Sequence, residues 1–332
     1  MTLNRPLLLL AVAALLAGCS STGNAEQGSD GRLRVVTTVA PITSIAANIG
    51  GDKVTLTGIV PEGTNSHTFE PPPSVAEVLA KADVVFVNGL KLEDPTRELA
   101  ERNLRKGADV VEIGTAVLPE SDWIYDFSFP KKDGKPNPHL WTDPLYAIKY
   151  AGVIADELKK RDPANAGYYA GNLTAFTARA TALSDALKMD QATIPGGKRE
   201  LLTYHDAYAY FGRDYGWTVI GAVQPSNFED PTPKEIVALI EQIKRQRVPV
   251  VFGSEVFPSR VLEQIGKETG ARYEDTLRDD DLPGEPGDRE HSWLGLMRYD
   301  YRTMVRGLGG TTAALDALDT SDVAPDKADY PQ

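Results

Sequence analysis

The chain has 332 residues, with 35 Lys and Arg against 47 Asp and Glu, a formal net charge of −12. That sign excludes the basic footprint of a nucleic-acid binder. A balance of 42% hydrophobic and 25% charged residues suits a soluble globular chain of about two domains. The single cysteine, Cys19, excludes an internal disulfide and a cysteine zinc cluster, so the four histidines, His67, His139, His205 and His291, become the informative residues.

Residues 1–18 read as a secretory leader. Arg5 precedes an apolar run over 7–17, too short to cross about 30 Å of hydrocarbon. The run ends in Leu16-Ala17-Gly18-Cys19, which is similar to a bacterial lipobox. The likeness implies cleavage before Cys19, lipidation of its thiol, and an extracytoplasmic protein lipid-anchored to the bacterial cell membrane. Residues 19–32 are polar and Gly/Ser-rich, a flexible tether.

The body alternates strand and helix twice. Strands are expected at 33–40, 54–60, 83–90 and 109–114, with helical spacing over 73–82 and 94–105. Asp143-Pro144 signals a helix start, cap followed by proline, running to about Lys160. Residues 163–190 carry Tyr169, Leu173, Phe176, Ala180, Leu183 and Leu187 at steps of three or four, one long amphipathic helix. Further strands are expected at 200–205, 217–223, 248–255 and 271–277, and a final helix at about 292–308. The expected fold is therefore α/β: two lobes, 33–162 and 192–310, each a four-stranded parallel sheet flanked by helices. A single long helix at 163–191 joins them, and an acidic, frayed tail follows at 311–332. Ligands of parallel sheets bind beyond the carboxyl ends of the strands, here in a cleft between the lobes.

His67 follows the second strand, His139 sits in a proline-bounded loop, and His205 ends the first strand of the second lobe. All three fall on the expected rim. They stand 72 and 66 residues apart, so no local ligand spacing marks a metal site, and spacing alone leaves ordinary surface histidines open.

Four stretches carry a resemblance. SHTFEPPPS (66–74) resembles a His-x-Tyr-Glu-Pro-x-Pro-Ser motif, and PHLWTDP (138–144) resembles Pro-His-hydrophobic-Trp-x-Asp-Pro. LLTYHDAYAYFGRDYG (201–216) is similar to a histidine-bearing strand-to-helix segment. LGLMRYDYRTMVRGL (294–308) is similar to a closing helix, with Asp300 where asparagine is common. Over about 34–308 the chain resembles the metal-binding receptors of bacterial zinc/manganese ABC transporters, the ZnuA/TroA/PsaA type.

That resemblance implies His67, His139, His205 and Asp275 as metal ligands, with Asp279, Asp280, Asp281 and His291 as competitors for the fourth place. The acidic run 278–292 also reads simply as a solvated loop, with His291 exposed beside it. Glu70 and Asp206 are expected to orient ligand rings, Glu255 to stand near the rim, and Trp141 to pack beside the site. Three imidazoles and a carboxylate suit Zn2+, with Mn2+ close behind. A third imidazole stands where manganese-type relatives often place glutamate, but no His-rich loop of the zinc type lies between His67 and His139.

The implied role is not enzymatic. A monomeric receptor captures the ion and delivers it to an ABC permease with its cytoplasmic ATPase. Protonation below about pH 6 should weaken binding. The rivals are a receptor for a chelate or small organic ligand, a surface zinc hydrolase (no HExxH occurs), and an adhesin, as some relatives are labelled.

Overall fold

The computed structural model describes residues 31–256 and 260–330. The leader, Cys19 and the tether through residue 30 lie outside them, as does the side chain of Asp275. No helix among the described residues is long and apolar enough to cross a membrane.

The first lobe runs β1 (Leu33–Thr37), α1 (Ala40–Gly50), β2 (Val54–Gly58), α2 (Val75–Lys81), β3 (Val84–Val87), α3 (Asp94–Asn103), β4 (Asp109–Glu112) and α4 (Ile113–Val117). Two long helices follow, α5 (Pro144–Arg161) and α6 (Ala166–Gln191). The second lobe contains β5 (Glu200–Thr203), α7 (Ala209–Tyr215), β6 (Thr218–Ala222), α8 (Pro233–Gln246), β7 (Val250–Ser254), α9 (Arg260–Thr269) and β8 (Arg272–Leu277). The chain closes with α10 (Trp293–Gly307) and α11 (Ala313–Asp316). The sheets have the orders β2-β1-β3-β4 and β6-β5-β7-β8, and every pairing is parallel.

Strand periodicity explains why both faces of each sheet are covered. Val84 and Phe86 enter a core shared by the two lobes, while Val85 and Val87 enter an outer cluster under α2 and α3. In the second lobe Val250 and Phe252 face the shared core and Val251 faces the outer cluster with Leu239 and Leu262. Alternate side chains point to opposite faces, so an unbroken apolar run is what a doubly covered strand requires. The shared core continues through Tyr169, Phe176, Ala180, Leu183 and Leu187 of α6 and through Trp141 and Trp293. Burying Phe176, Leu183 or Leu187 contributes roughly 1.5–3 kcal/mol each. The lobes are thus welded by apolar packing beneath the site.

Local signals place the helices. Asp143 Oδ1 accepts the Leu145 N–H at 2.8 Å, with Pro144 in the first turn of α5. Thr232 and Glu235 form a reciprocal capping box on α8. Ser292 caps α10 through the Gly295 N–H at 3.0 Å.

The tail departs from expectation. Instead of fraying, residues 311–330 return to the first lobe. The Asp329 N–H donates to Leu56 O and Asp329 O accepts from Gly58 N–H, both at 2.9 Å, extending the edge of β2. The Val323 N–H donates to Asn48 Oδ1 at 2.7 Å, and Tyr330 is buried. Its acidic composition suggested solvation, but unpaired edge groups of β2 supply partners that composition does not reveal.

Candidate metal centre

Carboxyl ends of the strands deliver the site's loops. His67 lies in the loop after β2, and Asn65 Oδ1 accepts its N–H at 3.0 Å. His139 lies just ahead of α5, and Asn137 Oδ1 accepts its N–H at 3.1 Å. His205 follows β5 directly. The first two loops therefore share one local device, an Asn two residues before the His that closes an Asx turn. Asn-x-His occurs twice in the sequence and was a legible signal.

The three rings converge on one point. The His139 and His205 Nε2 atoms are 2.9 Å apart, and His67 Nε2 is 3.2 Å from each. The opposite nitrogens of His139 and His205 are tied down. Asn137 Oδ1 accepts from His139 Nδ1 at 2.8 Å, and the amide's orientation is set by Asn137 Nδ2 donating to Asp206 O and Asp126 Oδ2. Gln224 Oε1 stands 2.5 Å from His205 Nδ1. A ring that donates through Nδ1 keeps a lone pair on Nε2, so lone pairs face one another at the convergence point. A tetrahedral ion with bonds of about 2.0–2.1 Å would separate its ligand atoms by about 3.3 Å, close to the spacing found.

Carboxylates border the same point. Asp279 Oδ2 is 3.2 Å from His205 Nε2. Ligand atoms of His139, Asp279 and Asp280 lie within 4.8 Å of one another. Ser66 Oγ donates to Asp280 Oδ2 at 2.6 Å, leaving Asp280 Oδ1 buried without a hydrogen-bond partner. Glu255 Oε1 accepts the backbone N–H groups of Asp279, Asp280 and Asp281 at 2.9, 3.2 and 3.3 Å. Asp300 pins the start of this loop, accepting from Arg278 N–H at 2.8 Å and Tyr208 O–H at 3.0 Å. Trp141 packs edge-on to His139 and donates from Nε1 to Asp279 O at 2.7 Å.

Burial dominates the electrostatics. It holds His67 and His139 well below the usual imidazole range, with neighbouring rings adding to the effect, and lowers His205 to about 4 against an opposing Gln224 hydrogen bond. Burial and the mutual repulsion of acids raise Asp279 strongly, while Asp280 is pushed to about 8 and Asp281 to about 7. The rings therefore stay neutral well below the pH 6 expected from unperturbed histidine.

Several expectations need correction. The side chain of Asp275, the expected fourth ligand, lies outside the described residues, its backbone at the bulge of β8 against β7; among the described residues the acids brought to the imidazoles are Asp279 and Asp280. These residues are buried, so the front of the acidic run is no solvated loop, although 284–290 are exposed. Among the described residues no hydrogen bond joins Glu70 to a ring, and its side chain is exposed. Asp206 reaches His139 only through its backbone carbonyl and Asn137; its carboxylate accepts the Ser128 N–H at 2.9 Å. Glu255 holds the acid loop. His291 is buried rather than exposed, edge-on to Tyr330 and 3.8 Å from Glu62, outside the converging group.

Comparison with known proteins adds an independent line. Residues 35–307 match the family described as "Zinc-uptake complex component A periplasmic". Manganese-binding lipoprotein MntA of Halalkalibacterium halodurans is 29% identical over 307 residues, covering 91% of this chain and 97% of the relative. Iron-binding protein YfeA of Yersinia pestis is 30% identical, covering 91% and 94%. The periplasmic zinc-binding protein TroA of Treponema pallidum shares the fold with a TM-score of 0.75 at 24% identity, covering 84% of this chain and 99% of that one.

Proposed function

Because the chain belongs to the zinc-uptake component A family, whose members are substrate-binding components of transporters and not enzymes, we propose that it captures a divalent transition metal for an ABC permease. The ion, zinc before manganese, is held by His67, His139, His205 and the Asp279–Asp280 carboxylates. The observation that carries this reading is the pair of Nε2 lone pairs meeting at 2.9 Å beside a buried, unpartnered carboxylate oxygen. A cation at that point relieves both at once.

Relatives bear manganese, iron and zinc in their names, so names leave the cargo open and donor chemistry has to decide. Three imidazole nitrogens with carboxylate oxygen favour zinc, and the three imidazoles with one of the two carboxylates already close a four-coordinate shell. A closed shell argues against a hydrolase, which keeps a coordination position open. The opening above His67 offers about 10 Å³, too little for a chelate or organic ligand. Lipid attachment through Cys19 keeps the receptor beside the permease, whose cytoplasmic ATPase drives uptake, and a monomer presents both lobes. Nothing among the described residues singles out a surface for adhesion.

Metal analysis of protein purified without added metal, followed by competitive zinc and manganese titration, tests the reading. One ion per chain is expected, bound more tightly as zinc. Unchanged affinity in His67→Ala, His139→Ala and His205→Ala would overturn it.

A further inference from the structure

Phe228 belongs to the second lobe, in the loop between β6 and α8, yet its ring lies on a histidine of the first lobe. The Phe228 and His67 rings are parallel within 2°, with centroids 4.3 Å apart. Phe129 completes an aromatic wall, 5.4 Å from His67, 5.5 Å from Phe228 and 5.7 Å from His139. His67 is the half-buried member of the imidazole trio, so this is the side on which the site approaches solvent. The opening there, bordered by Phe129, Pro136, Pro138 and Phe228, measures about 10 Å³. A water needs about 10–15 Å³ and two to four polar partners. The opening stands at the lower limit of that room, and although Lys91 and Lys135 border its outer part, the ring faces of Phe129 and Phe228 beside His67 supply no partner.

Phe228 is also held in place at a cost. Its φ of 59° lies in the left-handed region that a bulky residue rarely adopts. The Phe228 N–H donates to Pro225 O at 3.0 Å, and Phe228 O accepts from Asn65 Nδ2 at 3.5 Å, across the cleft in the loop that bears His67. Backbone strain retained beside a site, and pinned by contacts on both lobes, points to a functional constraint.

We propose that Phe228 excludes water from the coordination shell of the bound ion and thereby sets the preference between metals. This rests on the metal-site reading above. Zinc is satisfied by four protein donors. Manganese favours six-fold, oxygen-rich coordination and is penalised when no water can join. Phe228 is a positioning residue in this scheme, acting through the space it fills.

The test loads the full chain and its Phe228→Ala and Phe228→Leu variants with Mn2+ alone and measures water-proton relaxivity. The zinc-to-manganese affinity ratio is measured in parallel by competition. Wild-type protein is expected to show no exchanging inner-sphere water. Phe228→Ala should gain that signal and lower the ratio by about tenfold, while Phe228→Leu, which refills most of the space, stays near wild type. Phe228→Ala with wild-type relaxivity and ratio overturns the proposal, as does an inner-sphere water already present in the wild type. Either failure leaves the histidine variants metal-deficient, whereas failure of the metal-site reading appears as histidine variants of unchanged affinity.

Discussion

Imidazoles and carboxylates line one small space, and the same burial acts on them with opposite sign. It keeps His205 neutral down to about pH 4 and keeps Asp280 protonated up to about pH 8. Neutral imidazole is the form that ligates, whereas a neutral carboxyl must first lose its proton. The imidazole side is therefore ready at neutral pH, with Asn137 and Gln224 fixing its rings. The carboxylate side carries the cost of binding, because a cation must displace protons from it. A buried site can thus be preorganised in geometry on both sides and in charge on only one.

Removing ligands from the carboxylate side should have the largest effect. Asp279→Asn with Asp280→Asn is expected to lower zinc affinity by more than about a hundredfold, beyond the usual cost of losing an outer partner. Asp275→Asn should change it by less than about threefold if the carboxylates of Asp279 and Asp280, which reach the imidazoles among the described residues, complete the shell. Competitive titration against a chromophoric chelator reads both, and the reverse ranking would restore Asp275. Next come the ring supports. Asn137→Ala and Gln224→Ala should each cost about 10- to 100-fold with stoichiometry retained; equal affinities for variant and parent would show that ring orientation is set by packing alone.

Acidity then separates the two sides. Asp280, pushed to about 8, and Asp279, raised strongly, are both protonated at pH 7 in the metal-free protein, so zinc bound by both carboxylates should expel about two protons per ion there. Affinity should fall by up to about two decades per unit as pH drops. Calorimetry in buffers of different ionisation enthalpy counts the protons. Persistence of the full slope in the double Asp→Asn variant would place its origin in the imidazoles instead.

The smallest effect concerns stability without metal. An acid whose folded pKa is raised favours the folded state below that pKa and disfavours it as pH rises through it, here between the usual 3.8 and about 8. A lowered histidine behaves oppositely, so His205 costs stability as pH falls from 6.5 toward about 4. Asp280→Asn should therefore raise the metal-free melting temperature at pH 8 by about 2 °C and have little effect at pH 4. An equal gain at both values would mean that charge is not the cause.

Legibility followed the range of the interactions. Eight strands could be placed because apolar runs and turn residues are local, and α5 because Asp143-Pro144 is a local cap. The rim positions of His67, His139 and His205 followed from strand ends. Gln224 and Phe228 gave no such signal: one holds a ring 19 residues earlier, and the other lies on a ring in the opposite lobe. Asn65 and Asn137 did carry a repeated Asn-x-His pattern, but its meaning depends on the turn it closes. The acidic run looked solvated because composition counts charges and cannot see Glu255 gathering three of its backbone N–H groups.

By itself, the sequence determined two α/β lobes, the long helix between them and three histidines at strand-end loops, since periodicity and capping act within a few residues. Tertiary structure decided which acids meet those histidines, what holds their rings, what closes over them and where the tail goes. Each of these depends on atoms from distant segments arriving within about 3 Å of one another, the range at which hydrogen bonds act and lone pairs repel. No spacing along the chain encodes that distance.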